Sequence, residues 1–135
     1  MAVTICVEAK ADESFGGSVA EELAKARRRP ATRFPDRLNW LSSSLLGVPA
    51  FLDRDQMALS DEIAGLPYQL LAAIGGTILE AELQKSTMAI LVVHEFRTLL
   101  TTDIKMTANA KALDDFLRLL LAENGASDEE VQLTV

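Results

Sequence analysis

Val3-Thr4-Ile5-Cys6-Val7-Glu8-Ala9-Lys10 is the stretch on which the reading of the chain turns. Successive side chains of a strand point to opposite faces, so Val3, Ile5, Val7 and Ala9 share one face while Thr4, Cys6, Glu8 and Lys10 share the other. A carboxylate and an ammonium therefore stand side by side at the end of the strand, with Asp12 and Glu13 just beyond. Two readings of that pair are open. An exposed Glu two residues before a Lys is ordinarily a solvated ion pair of little energetic weight. The same pair can hold a divalent cation through the carboxylate and set a cationic head beside a phosphate or an attacking water.

Outward from this strand, Gly16 and Gly17 make a turn, and Ser18-Val19-Ala20-Glu21 has the form of a capping box, which predicts a helix from Val19 to Arg29, ending before Pro30. The basic residues Lys25, Arg27, Arg28, Arg29 and Arg33 fall at that helix's carboxyl end, where cations complement the dipole; a phosphate-binding patch is the other reading. A second helix is expected from Pro35, with Leu38, Leu41 and Leu45 on one stripe and Gly47 at its end. Phe34 and Trp40 are expected to pack at its edges. Residues 48–66 read as a connector with a helical turn at Ser60 to Ala64. Pro67 then opens a helix to Lys85, with Leu70, Leu71, Ile74, Ile78 and Leu79 on its apolar side and Gly75-Gly76 allowing close approach of another backbone.

Met88-Ala89-Ile90-Leu91-Val92-Val93-His94-Glu95-Phe96 is continuously apolar rather than alternating, as expected of a central strand covered on both faces. The helices between the two strands supply the crossover that parallel neighbours need, so the expected fold is α/β: a small mixed sheet with a parallel β-α-β core flanked by helices. His94 and Glu95 sit at the strand's carboxyl end, where ligand crevices form in open α/β sheets, although a lone histidine there is more often a satisfied strand-end residue. Asn109 is expected to cap a helix reaching Glu123, with Leu113, Phe116, Leu117 and Leu120 inward and Gly125 at its end. Val131, Leu133 and Val135 read as a short last strand.

At 135 residues and 49% hydrophobic content the chain fits one domain, residues 1–135, with a single sizeable core. No apolar run reaches the length of a membrane span, and the opening residues lack the features of a signal peptide, so a cytoplasmic protein is expected. The one cysteine, Cys6, excludes an internal disulfide and reads as a buried small apolar side chain. A net charge of −7 argues against charge-driven binding to nucleic acid, so any such contact must be local. No P-loop or dinucleotide fingerprint occurs.

Four blocks in order carry a resemblance: Val3 to Gly16, Arg37-Leu38 to Leu46-Gly47, Tyr68-Gln69-Leu70-Leu71 with Glu80-Ala81-Glu82, and Leu91 to Phe96. Together they resemble an uncharacterised bacterial family related to the PD-(D/E)XK, or restriction-endonuclease-like, nuclease superfamily. The resemblance implies a mixed sheet with helices on both sides and metal-dependent hydrolysis of a phosphodiester. It implies that Glu8, matching the acidic residue of the E-x-K element, coordinates Mg²⁺, and that Lys10 orients water or stabilises developing charge. Gln69 lies where some members carry an auxiliary glutamine; a solvent-facing or capping role is the alternative.

The superfamily's first acidic ligand comes from upstream of E-x-K, and this sequence leaves no room for it before Val3. The fold is thus expected in a truncated form, with Asp12 or a second subunit as substitute ligand, or with activity lost. A missing upstream hairpin would leave the Glu8 strand as an open edge able to pair with another copy, so a homodimer is expected. The competing expectation is a noncatalytic, homo-oligomeric interaction or structural protein on the same scaffold.

Overall fold

The computed structural model describes residues 2–29 and 31–124. The elements run β1 (Val3–Ala11), α1 (Val19–Ala26), α2 (Phe34–Leu46), β2 (Phe51–Asp53), β3 (Ala58–Leu59), α3 (Asp61–Ala64), α4 (Tyr68–Leu83), β4 (Met88–Phe96) and α5 (Asp103–Asn124). β1 and β4 pair in parallel without a slip, from Val3 opposite Met88 to Ala11 opposite Phe96. The fold is mixed α/β: a small parallel two-stranded sheet flanked by helices, with β2 and β3 forming a separate antiparallel hairpin.

Local chemistry accounts for most boundaries. Ser18 caps α1 with a complete capping box, its hydroxyl accepting from the Glu21 amide while the Glu21 carboxylate accepts from the Ser18 amide. α1 ends at Ala26, one turn earlier than expected, and Arg27 to Arg29 continue as a hydrogen-bonded turn. Pro35 stands in the first turn of α2, and Gly47 closes that helix in the left-handed conformation (φ 67°). The connector holds α3 where a helical turn was expected, and also the β2–β3 hairpin, which it was not expected to contain.

The core lies among the helices. Val19 and Leu23 of α1, Leu38, Leu41 and Leu46 of α2, Ile63 of α3, Leu70 and Leu71 of α4 and Phe116 of α5 are all buried. Gly75 of α4 is buried against α2, where an added Cβ would meet the Leu41 side chain, whereas Gly76 faces open space. The close neighbour is thus a side chain rather than a backbone. α4 buries only its first half as expected: Ile78 and Leu79 are exposed, and Thr77 and Ala81 are buried instead.

Three further expectations are corrected. Asn109 does not cap a helix; α5 begins six residues earlier, at Asp103, and Asn109 lies buried inside it. Cys6 is half-buried rather than buried. β4 is not a strand covered on both faces, because among the described residues the sheet has two strands with helices on one face only. The strand expected at Val131 to Val135 and the stop at Gly125 lie outside the described residues. Among the described residues no helix is long and apolar enough to cross a membrane.

Candidate functional site

Alternation along β1 and β4, with their parallel register, sets Thr4, Cys6, Glu8 and Lys10 on the same face as Leu91, Val93 and Glu95. α4 packs on this face, running from the carboxyl end of the strands toward their amino end. Its start is fixed by two backbone bonds, Val19 N–H to Leu66 O at 2.8 Å and Tyr68 N–H to Gly17 O at 3.3 Å, which join the first turns of α1 and α4. That junction delivers Gln69 to the end of β1.

Lys10 is the centre of the site and only 5% exposed. Its Nζ donates to Gln69 Oε1 at 2.5 Å and lies 2.9 Å from Glu8 Oε1; Glu13 Oε1 is farther, at 3.9 Å. A buried ammonium without partners would be costly, and these two oxygens offset its desolvation. An ammonium has three N–H donors, so one remains beyond the bonds to Glu8 and Gln69. Gln69 is solvent-exposed, as one reading of it expected, and its side-chain oxygen accepts from Lys10. Gly16, at φ 75°, makes room for it: a Cβ there would lie 3.0 Å from Gln69 Nε2.

Opposite Lys10 in register stands Glu95, whose Oε1 accepts from Asn109 Nδ2 at 2.7 Å and whose Oε2 lies 3.4 Å from Arg97 Nε. Asn109 Nδ2 also donates to Glu13 O at 3.0 Å, so α5 is tied to the exits of both strands. His94 falls on the other face, stacked on Phe96 with ring centroids 4.1 Å apart, and has no part in this cluster. Asp12 is engaged by residues that follow β4. Its carboxylate accepts from the hydroxyls of Thr98, at 2.5 Å, and Thr101, and its carbonyl from Lys105 Nζ at 2.9 Å. The Thr101 and Thr98 hydroxyls hold its carboxyl below the ordinary carboxylate value.

The structure thus brings Glu8, Lys10 and Gln69 together and engages Asp12 elsewhere. Glu95 and Asn109 complete the polar cluster. For Glu95 the signal was available, since it shares parity with Leu91 and Val93 on β4; for Asn109 it was not, because its contacts span helix and strands. Among the described residues no group of three or more His, Cys, Asp or Glu side chains is gathered to hold a metal ion. A hard cation takes several oxygen ligands, so the gathered residues do not form a self-contained Mg²⁺ centre.

The basic residues of the α1 end do not join this site. Arg27 donates to Met57 O at 2.7 Å, and Lys25 pairs with Glu22 at 2.6 Å. Phe34 is buried and meets the Tyr68 ring 4.9 Å away, with the Arg37 guanidinium over both rings, whereas Trp40 is 45% exposed.

One family model, a domain of unknown function (DUF6946), matches residues 1–135. No curated protein and no solved structure matches the chain.

Proposed function

We propose that the chain, which belongs to the DUF6946 family, carries a restriction-endonuclease-like half-site for phosphodiester hydrolysis. The observation that supports this reading is the Lys10 ammonium, 2.9 Å from Glu8 and 2.5 Å from Gln69 at the carboxyl ends of two parallel strands. Lys10 presents a fixed positive charge and a spare donor to a phosphate oxygen or an attacking water, Glu8 holds that ammonium in place, and Gln69 braces it from α4. Glu8 is the carboxylate a Mg²⁺ ion would take. Its other oxygen ligands would come from outside the gathered set, such as an acidic side chain of a partner. The substrate would be a nucleic acid held by local contacts, since the net charge is −7.

The test is nicking of supercoiled DNA, and cleavage of RNA, with Mg²⁺ or Mn²⁺, comparing wild type with Glu8→Ala and Lys10→Ala. Wild type is expected to cleave and each variant to lose at least about 100-fold, the scale of removing one preorganised charge. Wild type cleaving no better than the variants overturns the hydrolytic reading.

A second reading is a noncatalytic homo-oligomeric protein of the cytoplasm on the same scaffold, in keeping with there being no gathered metal set among the described residues. It draws on the outer edge of β1, which has no strand partner among the described residues and can pair with the same edge of another copy.

A further inference from the structure

We propose that the uncovered face of the β1–β4 sheet docks a second copy of this chain, sheet on sheet, across a two-fold axis. The proposal does not rest on the hydrolytic reading, and it differs from pairing at the β1 edge because it stacks the sheets instead of extending them.

The face consists of Val3, Ile5, Val7, Ala9 and Ala11 of β1 beside Met88, Ile90, Val92, His94 and Phe96 of β4. Ile5 and Val7 are 60% and 61% exposed, and Phe96 50%. The chain has 33 acidic, lysine and arginine side chains, yet none of them stands on these ten positions. A surface left to face water would carry the polar alternation of a half-solvated sheet, whereas parallel strands are ordinarily covered on both faces. The opposite face already has its cover in α4.

The dimensions suit a copy of itself. Two nine-residue strands make a face about 30 Å long at ~3.3 Å per residue. Its half-exposed side chains offer on the order of 600 Å², at or beyond the largest apolar patch of an ordinary monomer. Doubling that area gives about 1,200 Å², the lower end of stable, specific interfaces. A face with no acidic, lysine or arginine side chain has nothing that selects a partner of opposite sign, and two such faces can meet each other under a two-fold axis. Stacked at about 10 Å, the usual spacing of packed sheets, they form one shared core. None of the ten positions is acidic, so the face itself does not oppose this contact.

Light scattering coupled to size exclusion at about 50 μM, above weak-dimer dissociation constants, tests the proposal. Wild type is expected at twice the chain mass of 14.7 kDa. Ile5→Lys with Val92→Lys is expected to run as a folded monomer by circular dichroism, with dimerisation weakened at least about 100-fold, each buried aliphatic side chain being worth a factor of about ten. Ile5→Thr with Val92→Thr keeps β-branched residues in both strands and should weaken the dimer in the same direction if the lysine variant does not fold. A monomeric wild type overturns the proposal, including one whose face is covered by residues 125–135 or that sediments with lipid vesicles. A dimer unchanged in a folded double variant overturns it as well, and assigns the contact to the β1 edge or another surface.

Discussion

At Asp12 the chain leaves β1 in a left-handed conformation (φ 59°) that non-glycine residues adopt sparingly, and the carboxylate is met at once by two hydroxyls from beyond β4. Because Thr101 and Thr98 favour the ionised form, its folded pKa lies below the ordinary 3.8. A depressed carboxylate contributes stability that is present above the unfolded value and is lost as pH falls through the folded one. Asp12→Asn is therefore expected to be less stable than wild type at pH 7, with the deficit shrinking as pH falls below about 4. Urea unfolding at neutral pH and well below that value checks it; an equal deficit at both shows that the bonds do not depend on ionisation. The Glu8–Lys10 pairing was legible from alternation alone, since the two residues share a face of one strand. The Lys10–Gln69 bond was not, because it closes a separation of 59 residues and follows from where α1 and α4 meet. Asp12 likewise looked free to act as a ligand, and only the fold shows its oxygens taken.

For the elements, short-range signals were dependable where the responsible atoms lie within one turn of each other. The capping box at Ser18, the proline in the first turn of α2 and the left-handed Gly47 each act over a few residues, and each boundary falls where it was expected. Asn109 misled because its amide finds Glu95 and Glu13, partners from elsewhere in the chain, and α5 starts at Asp103 instead. The two glycines of α4 separate local from tertiary effects. Gly76→Ala is expected to raise stability by up to about 1 kcal/mol, since its Cβ meets nothing and helix propensity improves. Gly75→Ala has the same local gain but drives a methyl into Leu41, so a net loss of about 1–3 kcal/mol is expected. Chemical denaturation of both variants checks the contrast, and equal effects would mean that α2 yields at no cost.

For the whole molecule, the α/β class and the parallel β-α-β core could be read from two apolar runs separated by helical periodicity. What could not be read was the distribution of the core, which among the described residues gathers between the helices and leaves one side of the sheet open. The continuous apolar run of β4 states that both faces need cover, but carries no information about which molecule supplies it. If a second copy does, unfolding is linked to association, and the melting temperature rises with protein concentration. Calorimetry at about 5 μM and 500 μM, a hundredfold range over which mass action acts on a dimer, is expected to show a rise of several degrees, and a constant temperature would mean that the chain unfolds as a monomer.

The two strands are fastened at both extremities. Thr87 reaches the Ala2 carbonyl through its amide, at 2.9 Å, and its hydroxyl, at 3.0 Å, while Thr98 and Thr101 clasp Asp12 at the far end. Sidedness in such a ladder is a matter of counting: odd positions of β1 and even positions of β4 point outward, the alternate ones inward. One residue inserted between these fastenings would turn part of the strand inside out, carrying the ammonium toward solvent or an isoleucine toward the helices, so chemistry and association depend on the same parity.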